Sequence, residues 1–236
     1  MTRVLVLGGG PDAERDISIT SAKGVHQGCL DAGLEAQLLI VDEPTVSEIQ
    51  QWEADVIFPV LHGKFGEGGS LQGRLERARV AFVGSGFTAA SLAMDKLATK
   101  LVAAQLDIDT PQACLLDTDK LTKEGVIRSP IDLPIVVKPV QDGSSMGLYI
   151  CKTESDWRDA QQQIHADLKH HPRRVSMIER YTPGRELTAS VISDPHGGGE
   201  LIALPLIEIS PKEGVYDYEA KYTRNDTVYR VRPDLP

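Results

Sequence analysis

The first 85 residues alternate short apolar runs with amphipathic segments, and this alternation constrains the fold more than any other feature of the chain. The first run, Val4 to Leu7, ends in Gly8-Gly9-Gly10, and the segment from about Asp16 to Ala32 predicts a helix. Three further strands are predicted, over residues 36–41, 56–60 and 80–83. Strands that alternate with helices favour a parallel α/β sheet, which binds ligands at the carboxyl ends of its strands.

The pattern changes after about residue 85, where short strand candidates replace the regular alternation. One helix is predicted over Ala89–Gln105 and a stronger one over Glu154–Leu168. The strand candidates of this part are residues 113–116, 135–138, 148–151, 175–179, 187–192, 201–209 and 228–233. The sequence therefore predicts a second unit of the α+β type.

Charge and cysteine content exclude several classes of protein. The chain has 25 Lys and Arg against 34 Asp and Glu, a formal net charge of -9, which disfavours a partnership with nucleic acid or an anionic membrane. Cys29, Cys114 and Cys151 are far apart and form no C-x-x-C pair, so neither a disulfide framework nor a zinc knuckle is indicated. We expect a cytoplasmic protein, because no signal-peptide core and no run of about 18 apolar residues is present.

The turn after the first strand has two interpretations. Gly8-x-Gly10-x-x-Ala13 fits a loose dinucleotide fingerprint, in which backbone amides and a helix N-terminus bind a pyrophosphate. Against an NAD(P) site, Pro11 removes an amide donor and Glu14 places a carboxylate where phosphate would lie. A plain glycine turn with Glu14 beside the cleft would instead suit a cationic group such as a substrate ammonium.

The segment after the third strand, residues 61–69, has four glycines within its last seven residues and predicts a sharp turn or a close backbone approach. His62 lies at the carboxyl end of that strand and is expected to face Glu14. A lone histidine is more often structural than functional, so both interpretations of His62 stay open.

A lysine ends the apolar strand over residues 135–138, and a buried ammonium is costly unless it meets an anion. The segment Gly143-Ser144-Ser145-Met146-Gly147 follows at once. Loop amides and hydroxyls together with Lys138 form a suitable clamp for phosphates, although the Walker pattern is absent. The alternative is a flexible turn.

Two further segments carry candidate binding groups. Glu179 and Glu186 bracket one link between strands and could hold a ribose and an adenine amine, or be ordinary solvated charges. The segment Tyr216–Tyr222 packs three tyrosines, three charged residues and one alanine into seven positions, in a chain with only 5% aromatic residues.

Together these segments resemble the D-alanine–D-alanine ligases of the ATP-grasp superfamily, from the first strand almost to the last residue. The motifs that carry the resemblance are Gly8-Gly9-Gly10-x-x-Ala13-Glu14-Arg15-x-Ile17-Ser18, His62-Gly63-x-x-Gly66-Glu67-x-Gly69-x-Leu71-Gln72-Gly73, Gly84-Ser85-Gly86, Met94-Asp95-Lys96-x-x-Thr99-Lys100, Val137-Lys138-Pro139 with Gly143-Ser144-Ser145-x-Gly147, Gly184-Arg185-Glu186-Leu187-Thr188 and Tyr216–Tyr222. They occur in the order of the family.

The resemblance implies an α/β fold with three parts: a Rossmann-like N-terminal domain over residues 1–85, a central ATP-grasp subdomain over 86–180, and the start of a C-terminal ATP-grasp lobe over 181–236. It also implies an activity. ATP phosphorylates the carboxylate of one D-alanine, and the amine of a second then attacks the acyl phosphate to give D-alanyl-D-alanine for peptidoglycan synthesis.

The resemblance also implies a role for each site residue. Glu14, Ser144 and Tyr222 are the expected catalytic network. The expected substrate-binding residues are Glu14, His62, Ser144, Tyr216 and Lys221. The expected ATP-binding residues are Lys96, Lys138, Gly143, Ser144, Ser145, Glu179, Tyr181, Glu186 and Lys221.

The implied cofactors are ATP and Mg²⁺ or Mn²⁺, and the implied assembly is a cytoplasmic homodimer. No metal ligand is expected within the chain, because the family's metal-binding carboxylates and asparagine follow a point beyond Pro236. A protein that ends there is expected to be inactive or nearly so. The alternatives are a non-catalytic fragment that binds ATP and D-alanine, or a relative that uses D-lactate or D-serine. Tyr222 favours D-alanine, because replacements there accompany depsipeptide formation.

Overall fold

The computed structural model describes residues 2–194, 199–212, 214 and 216–235. The chain separates into two compact units, Met1–Arg180 and Tyr181–Pro236, called here the first and the second unit. The predicted division into residues 1–85, 86–180 and 181–236 stays a prediction. Among the described helices, none combines the length and the apolar character needed to cross a bilayer.

The first unit begins with the predicted parallel sheet. Its elements are β1 (Arg3–Gly9), α1 (Arg15–Asp31), β2 (Glu35–Val41), α2 (Val46–Ile49), β3 (Val56–Pro59), α3 (Gly63–Glu67) and α4 (Ser70–Ala78). Both β2 and β3 pair in parallel with β1, which lies between them. Val6 and Leu7 on β1 are fully buried, as expected for a strand with both faces covered.

The prediction of a fourth strand over residues 80–83 is wrong. Phe82 forms only an isolated parallel bridge with Ile57, whose amide and carbonyl bond to the backbone of Ala81 and Val83 at 2.9 Å each. Arg79 (φ 59°) and Gly84 (φ 112°) take left-handed conformations at the two sides of this stretch. Between these two turns the described backbone makes only two hydrogen bonds to β3, both with Ile57, so no continuous strand forms.

The rest of the first unit is built on an antiparallel sheet. Its elements are α5 (Phe87–Met94), α6 (Lys96–Gln105), β4 (Ala113–Leu115), α7 (Thr118–Glu124), β5 (Ile135–Pro139), β6 (Tyr149–Cys151), α8 (Glu154–Leu168) and β7 (Ser176–Arg180). The strand order is β4-β7-β5-β6. Buried side chains of α8, β5 and β7, among them Trp157, Ile135 and Ile178, form one core cluster.

The predicted helix Ala89–Gln105 is two helices, because Asp95 interrupts it with an extended backbone (φ −85°, ψ 103°). The Asp95 carboxylate accepts hydrogen bonds from the amides of Leu97 and Ala98, at 3.0 and 2.9 Å, and so caps α6. This cap fixes the start of α6, and it places Lys96 and Lys100 on the same face of the helix, one turn apart.

The second unit contains short antiparallel strands and one short helix. Its described elements are β8 (Glu186–Thr188), β9 (Val191–Ser193), β10 (Leu201–Ala203), β11 (Ile207–Ser210), α9 (Tyr218–Tyr222) and β12 (Val228–Val231). β9 pairs with β10, while β11 lies between β12 and β8. The two strands predicted over residues 187–192 and 201–209 are therefore each divided in two.

Candidate active site

The carboxyl ends of β1 and β3 are joined by one buried hydroxyl. Ser18 on α1 is fully buried; its Oγ accepts the amide of Gly9 at 2.9 Å and donates to the carbonyl of Val60 at 2.7 Å. Gly9 has φ 103°, and a Cβ there would lie 2.3 Å from the carbonyl oxygen of Val41. The glycine turn thus arises from close packing of strand ends.

Asp12 connects this turn to the glycine-rich segment after β3. Its Oδ2 accepts the amide of Phe65 at 2.8 Å, and a Cβ on Gly63 would lie 2.6 Å from the Cβ of Asp12. Burial, the largest influence, raises the pKa of Asp12, although the Phe65 amide opposes it. Asp12 was not predicted as a site residue from the sequence, because its partner lies 53 residues away along the chain.

Glu14 and Ser144 are brought together, as the resemblance implied. Glu14 is buried at the N-terminal end of α1, and the Ser144 hydroxyl donates to its carboxylate. Ser144 (φ 47°) and Ser145 (φ 59°) both adopt the left-handed conformation, which costs an L-residue roughly 1–2 kcal/mol. The serine loop, residues 143–147, is therefore held against Glu14 in a strained conformation, as is common at functional sites.

His62 follows β3 and lies beside the carboxylate of Glu67. Its Nδ1 is 3.6 Å from Oε1 of Glu67, whereas its Nε2 is buried and has no hydrogen-bond partner within the described part of the chain. Glu67 is the largest influence on the ring and raises the pKa of His62, with a smaller contribution of the same sign from Glu14. Glu14, which His62 was expected to face, therefore affects the ring through its charge, whereas Glu67 is the carboxylate beside the ring.

The Lys138 ammonium at the end of β5 meets an anion, as burial of that charge requires. Lys138 Nζ lies 2.5 Å from Oε2 of Glu179, and Lys100 Nζ lies 2.5 Å from Oε1 of the same carboxylate. We call Lys100, Lys138 and Glu179 the lysine cluster. Burial alone would raise the pKa of Glu179, but the two lysines together outweigh it and lower that pKa. Lys100 was quoted within a motif but given no role.

Lys96 contacts the base of the serine loop. Its Nζ donates to the carbonyl of Asp142 at 2.6 Å and lies 3.4 Å from that of Val140. Burial lowers the pKa of Lys96, and the charge of Lys138 lowers it further. Two ammonium groups expected to bind phosphates are thus close enough to repel each other, which favours an anion between them.

Arg174, which the sequence analysis did not identify, holds the other side of the loop base. Its Nε lies 3.0 Å from Oδ2 of Asp142, and its Nη1 contacts both oxygens of Asp167 at 2.8 and 2.9 Å. Asp142 directly precedes Gly143, the first residue of the serine loop. The loop is therefore tied down at its base by Arg174 and near its middle by the bond between Ser144 and Glu14.

In the second unit, the tyrosine-rich segment forms a compact group around α9. The hydroxyl groups of Tyr216 and Tyr229 are 2.7 Å apart, and Lys221 Nζ lies 5.2 Å from the centre of the Tyr216 ring. Burial, followed by the bond to Tyr229, raises the pKa of Tyr216 to about 12. Tyr222 packs edge-on against Tyr218, with ring centres 4.9 Å apart. Three predicted residues, Tyr216, Lys221 and Tyr222, thus lie on one helix or beside it.

The remaining predicted residues of the second unit are Tyr181 and Glu186. Tyr181 is half-buried at the start of the unit, outside any helix or strand, and Glu186 begins β8. Burial raises the pKa of Glu186, while the charge of Lys221 opposes that shift. Glu179, the other expected adenosine ligand, belongs to the first unit, where its carboxylate contacts Lys100 and Lys138; its contact with adenosine stays a prediction.

A cavity of about 860 Å³ opens beside the loop base. It is lined by residues of α3, α6 and the neighbouring strands and loops, including Asp12, Lys64, Leu97, Leu101, Asp142 and Arg174. Glu14, Lys138 and Ser144 are not part of its lining. The cavity therefore borders the candidate site without enclosing its central groups.

Comparison with known proteins places this architecture in the ATP-grasp ligases. Residues 42–85 match the family model of the D-ala D-ala ligase N-terminus, and residues 102–236 match that of the D-ala D-ala ligase C-terminus. The D-alanine–D-alanine ligase of Bordetella petrii is 39% identical over 99% of this chain and 69% of its own length. That of Aquifex aeolicus is 36% identical over 98% and 75%. The chain belongs to the D-alanine–D-alanine ligase family.

Solved structures agree with this assignment. The crystal structure of D-alanine–D-alanine ligase from Bacillus anthracis matches with a TM-score of 0.72 and 27% identity, covering 100% of this chain and 73% of the other. The VanG D-Ala:D-Ser ligase from Enterococcus faecalis matches equally well in fold, at 0.72, with 22% identity over 98% and 75%. Family membership and the buried Glu14 carboxylate at the helix N-terminus set aside the dinucleotide alternative.

Proposed function

We propose that this chain catalyses the ATP-dependent ligation of two D-alanines to D-alanyl-D-alanine. The observation that carries the proposal is the bond between the Ser144 hydroxyl and the Glu14 carboxylate. It brings the loop expected to cover phosphates onto the residue expected to bind the substrate ammonium. The same activity is supported by the match to the Bordetella petrii and Aquifex aeolicus ligases, which covers 69% and 75% of their lengths.

The acidic side of the site would hold the first D-alanine. Glu14 is buried, so its carboxylate would attract a substrate ammonium with little screening by water. His62 presents a buried Nε2 that still needs a hydrogen-bond partner, which a substrate carboxylate could supply if the ring is protonated. These two groups would orient the substrate so that its carboxylate points toward the phosphate-binding side.

The basic side of the site would hold the triphosphate. Lys96 and Lys138 would contact phosphate oxygens, and the amides and hydroxyls of the serine loop, including Gly143, Ser144 and Ser145, would cover them. A carboxylate oxygen of the first D-alanine would then bond to the γ-phosphorus as the bond to ADP breaks. Exclusion of water by this loop would protect the acyl phosphate until the second amine attacks and phosphate leaves.

The remaining roles follow the family resemblance. Tyr216, Lys221 and Tyr222 are proposed to contact the substrates and the transferring phosphoryl group, and Glu179, Tyr181 and Glu186 are proposed to contact the adenosine. Mg²⁺ or Mn²⁺, when bound, would neutralise charge on the phosphates. In the described ranges no three His, Cys, Asp or Glu side chains gather as a metal site. A cytoplasmic homodimer that serves peptidoglycan synthesis belongs to the same proposal.

The test is D-alanine-dependent release of ADP, measured together with ligand-induced thermal stabilisation of the same protein. We expect Glu14→Gln and Lys138→Ala to lower turnover at least about 100-fold. The matched controls Glu35→Gln and Lys23→Ala, at exposed positions on β2 and α1, should be unaffected. Stabilisation by ATP and D-alanine without turnover would reject ligation for this chain and leave binding. Absence of both would reject the proposal.

A further inference from the structure

Each carboxylate oxygen of Glu179 contacts one lysine, and the proposed function assigns a role to only one of these two lysines. Lys138 contacts Oε2 and is assigned to a phosphate, whereas Lys100 contacts Oε1 and has no assigned role. The side chains are only 22%, 17% and 12% exposed for Lys138, Lys100 and Glu179. At this burial the pairing of charges matters more than it would on the surface.

The two lysines differ in what holds their backbones. Lys100 lies within α6, whose start is fixed by the Asp95 cap and by the bond from Gln141 Nε2 to Asp95 at 3.0 Å. Lys138 is the penultimate residue of β5 and directly precedes the segment that leads to the serine loop. Lys138 is therefore the lysine placed to turn toward a ligand under that loop.

A phosphate and Glu179 would compete for the Lys138 ammonium. If Lys138 were the only cation at Glu179, binding a phosphate would draw it away from a half-buried carboxylate, and that would cost free energy. With Lys100 present, the carboxylate keeps a cationic partner throughout. Lys96, close enough that Lys138 affects its pKa, adds further positive charge for the incoming anion.

We infer that Lys100 is a positioning residue: it holds Glu179 through Oε1, so that Lys138 can exchange Oε2 for a phosphate of the nucleotide. The inference rests on the proposed binding of ATP at Lys138. Lys100 itself does not contact the nucleotide in this arrangement and acts through Glu179. Its removal should therefore weaken nucleotide binding only while Glu179 carries a negative charge.

The test combines Lys100→Met with the conservative variant Lys100→Arg and the control Lys23→Met on the exposed face of α1. Calorimetry measures the dissociation constants for ATP and for inorganic tripolyphosphate. We expect Lys100→Met to weaken both about tenfold, the effect of one lost charged hydrogen bond, and Lys100→Arg to restore most of it. In a Glu179→Gln background the same Lys100→Met change should have no effect. An equal loss in both backgrounds would show direct contact with the nucleotide and overturn the inference.

A second readout does not depend on the nucleotide. The midpoint of the Glu179 carboxyl titration, followed by carbon-13 NMR in the ligand-free protein, should rise in Lys100→Met and stay low in Lys100→Arg and Lys23→Met. An unchanged midpoint in Lys100→Met would overturn the inference. If the wild-type chain binds neither ATP nor tripolyphosphate, the proposed function fails, and a raised midpoint would still support the hold of Lys100 on Glu179.

Discussion

Two carboxylates in this molecule each lie between two cations, and the cations differ. In the first unit Glu179 meets Lys100 and Lys138, with one bond to each oxygen. In the second unit Glu208 on β11 meets two arginines, Arg185 and Arg230. Arg185 donates to both oxygens, at 2.6 and 2.8 Å, and Arg230 donates to Oε2 at 2.8 Å. We call these three residues of the second unit the arginine cluster.

Because the cations differ, we expect the contacts of the arginine cluster to be fixed and those of the lysine cluster to be exchangeable. The guanidinium of Arg185 is a planar fork that matches the carboxylate, and Arg185 also donates to the carbonyl of Asp234 at 2.6 Å. Glu208 and Arg230 lie on the paired strands β11 and β12, so the arginine cluster adds side-chain bonds to the strand ladder. An ammonium instead makes one bond to each partner and can rotate, so the lysine cluster can change partners without loss of sheet structure.

The largest effect is expected in the arginine cluster. Glu208→Gln would replace the charged acceptor of three hydrogen bonds from Arg185 and Arg230 by a neutral amide, at a buried position between paired strands, and we expect a greater fall in unfolding temperature than for the other substitutions. Hydrogen exchange at residues 207–210 and 228–231 should increase as the unit loosens. Glu200→Gln, at an exposed position of the same unit, is the control. An unchanged unfolding temperature would mean that the arginine cluster is as exchangeable as the lysine cluster.

The contribution of the arginine cluster to stability should depend on pH in the acid range. The Arg185 hydrogen bond is the main cause that lowers the pKa of Glu208 from 4.5 to about 2. A lowered pKa stabilises the folded state fully above the ordinary value, and this stabilisation is lost as the pH falls from 4.5 toward 2. The difference in stability between wild type and Glu208→Gln should therefore shrink over that range. A difference that stays constant down to pH 2 would contradict the lowered pKa.

A smaller loss of stability is expected for Glu179→Gln. The substitution weakens two hydrogen bonds, one from each lysine, instead of three, so we expect a loss of about 1–3 kcal/mol, as for a charged hydrogen bond. Chemical denaturation of Glu179→Gln and Glu208→Gln side by side would sharpen the comparison. If Glu179→Gln proved the more destabilising of the two, the distinction between exchangeable and fixed contacts would fail.

Removal of Arg174, which holds the base of the serine loop, should have a mainly local effect. Arg174→Met removes the bonds to Asp142 and Asp167, both partly exposed, so the loss of global stability should be about 1 kcal/mol or less. Hydrogen exchange over residues 143–147 should nevertheless increase, because an attachment at the base of the loop is lost. The neighbouring exposed Arg173→Met is the control. Unchanged protection of the loop would show that the Ser144–Glu14 bond and the Lys96 contact suffice without Arg174.

The smallest effect concerns His62. Because Glu67 raises the pKa of His62, Glu67→Gln should lower the midpoint at which the ring protons titrate in proton NMR. A raised histidine pKa contributes stability below the ordinary value of 6.5, and this contribution disappears as the pH rises through the folded pKa. Glu48→Gln, an exposed position on α2, should leave the midpoint unchanged. An identical midpoint in Glu67→Gln would show that Glu67 is not the residue that sets it.

Much of the fold could be predicted from regular apolar patterns. The structure of the glycine-rich segments could not. The helix Glu154–Leu168 has the predicted bounds, because its capping residues and apolar spacing agree. Residues 61–69 were predicted to turn sharply or to approach another segment closely; they contain α3, and α4 follows over residues 70–78 without having been predicted. Leu71, Leu75 and Ala78 recur at helical spacing and are buried, and this signal was obscured by the surrounding glycines.

The site could be predicted where a motif places a group at a strand end, and not where two distant segments meet. Lys138 was expected to need an anion, but its partner Glu179 lies 41 residues away. The contact between Lys100 and Glu179 spans 79 residues, and no spacing rule connects them. The helical spacing of Lys96 and Lys100 was a usable signal, because residues four apart share a helix face.

The buried hydroxyl of Ser18 has a consequence for the thermodynamics of ligand binding. Since it bonds to the backbone of both Gly9 and Val60, the ends of β1 and β3 keep their spacing in the ligand-free protein. Glu14 and His62 follow those two ends, so a ligand that contacts both would find its binding groups already ordered. Little conformational entropy would be lost on that side of the site, and binding there would depend mainly on desolvation and charge.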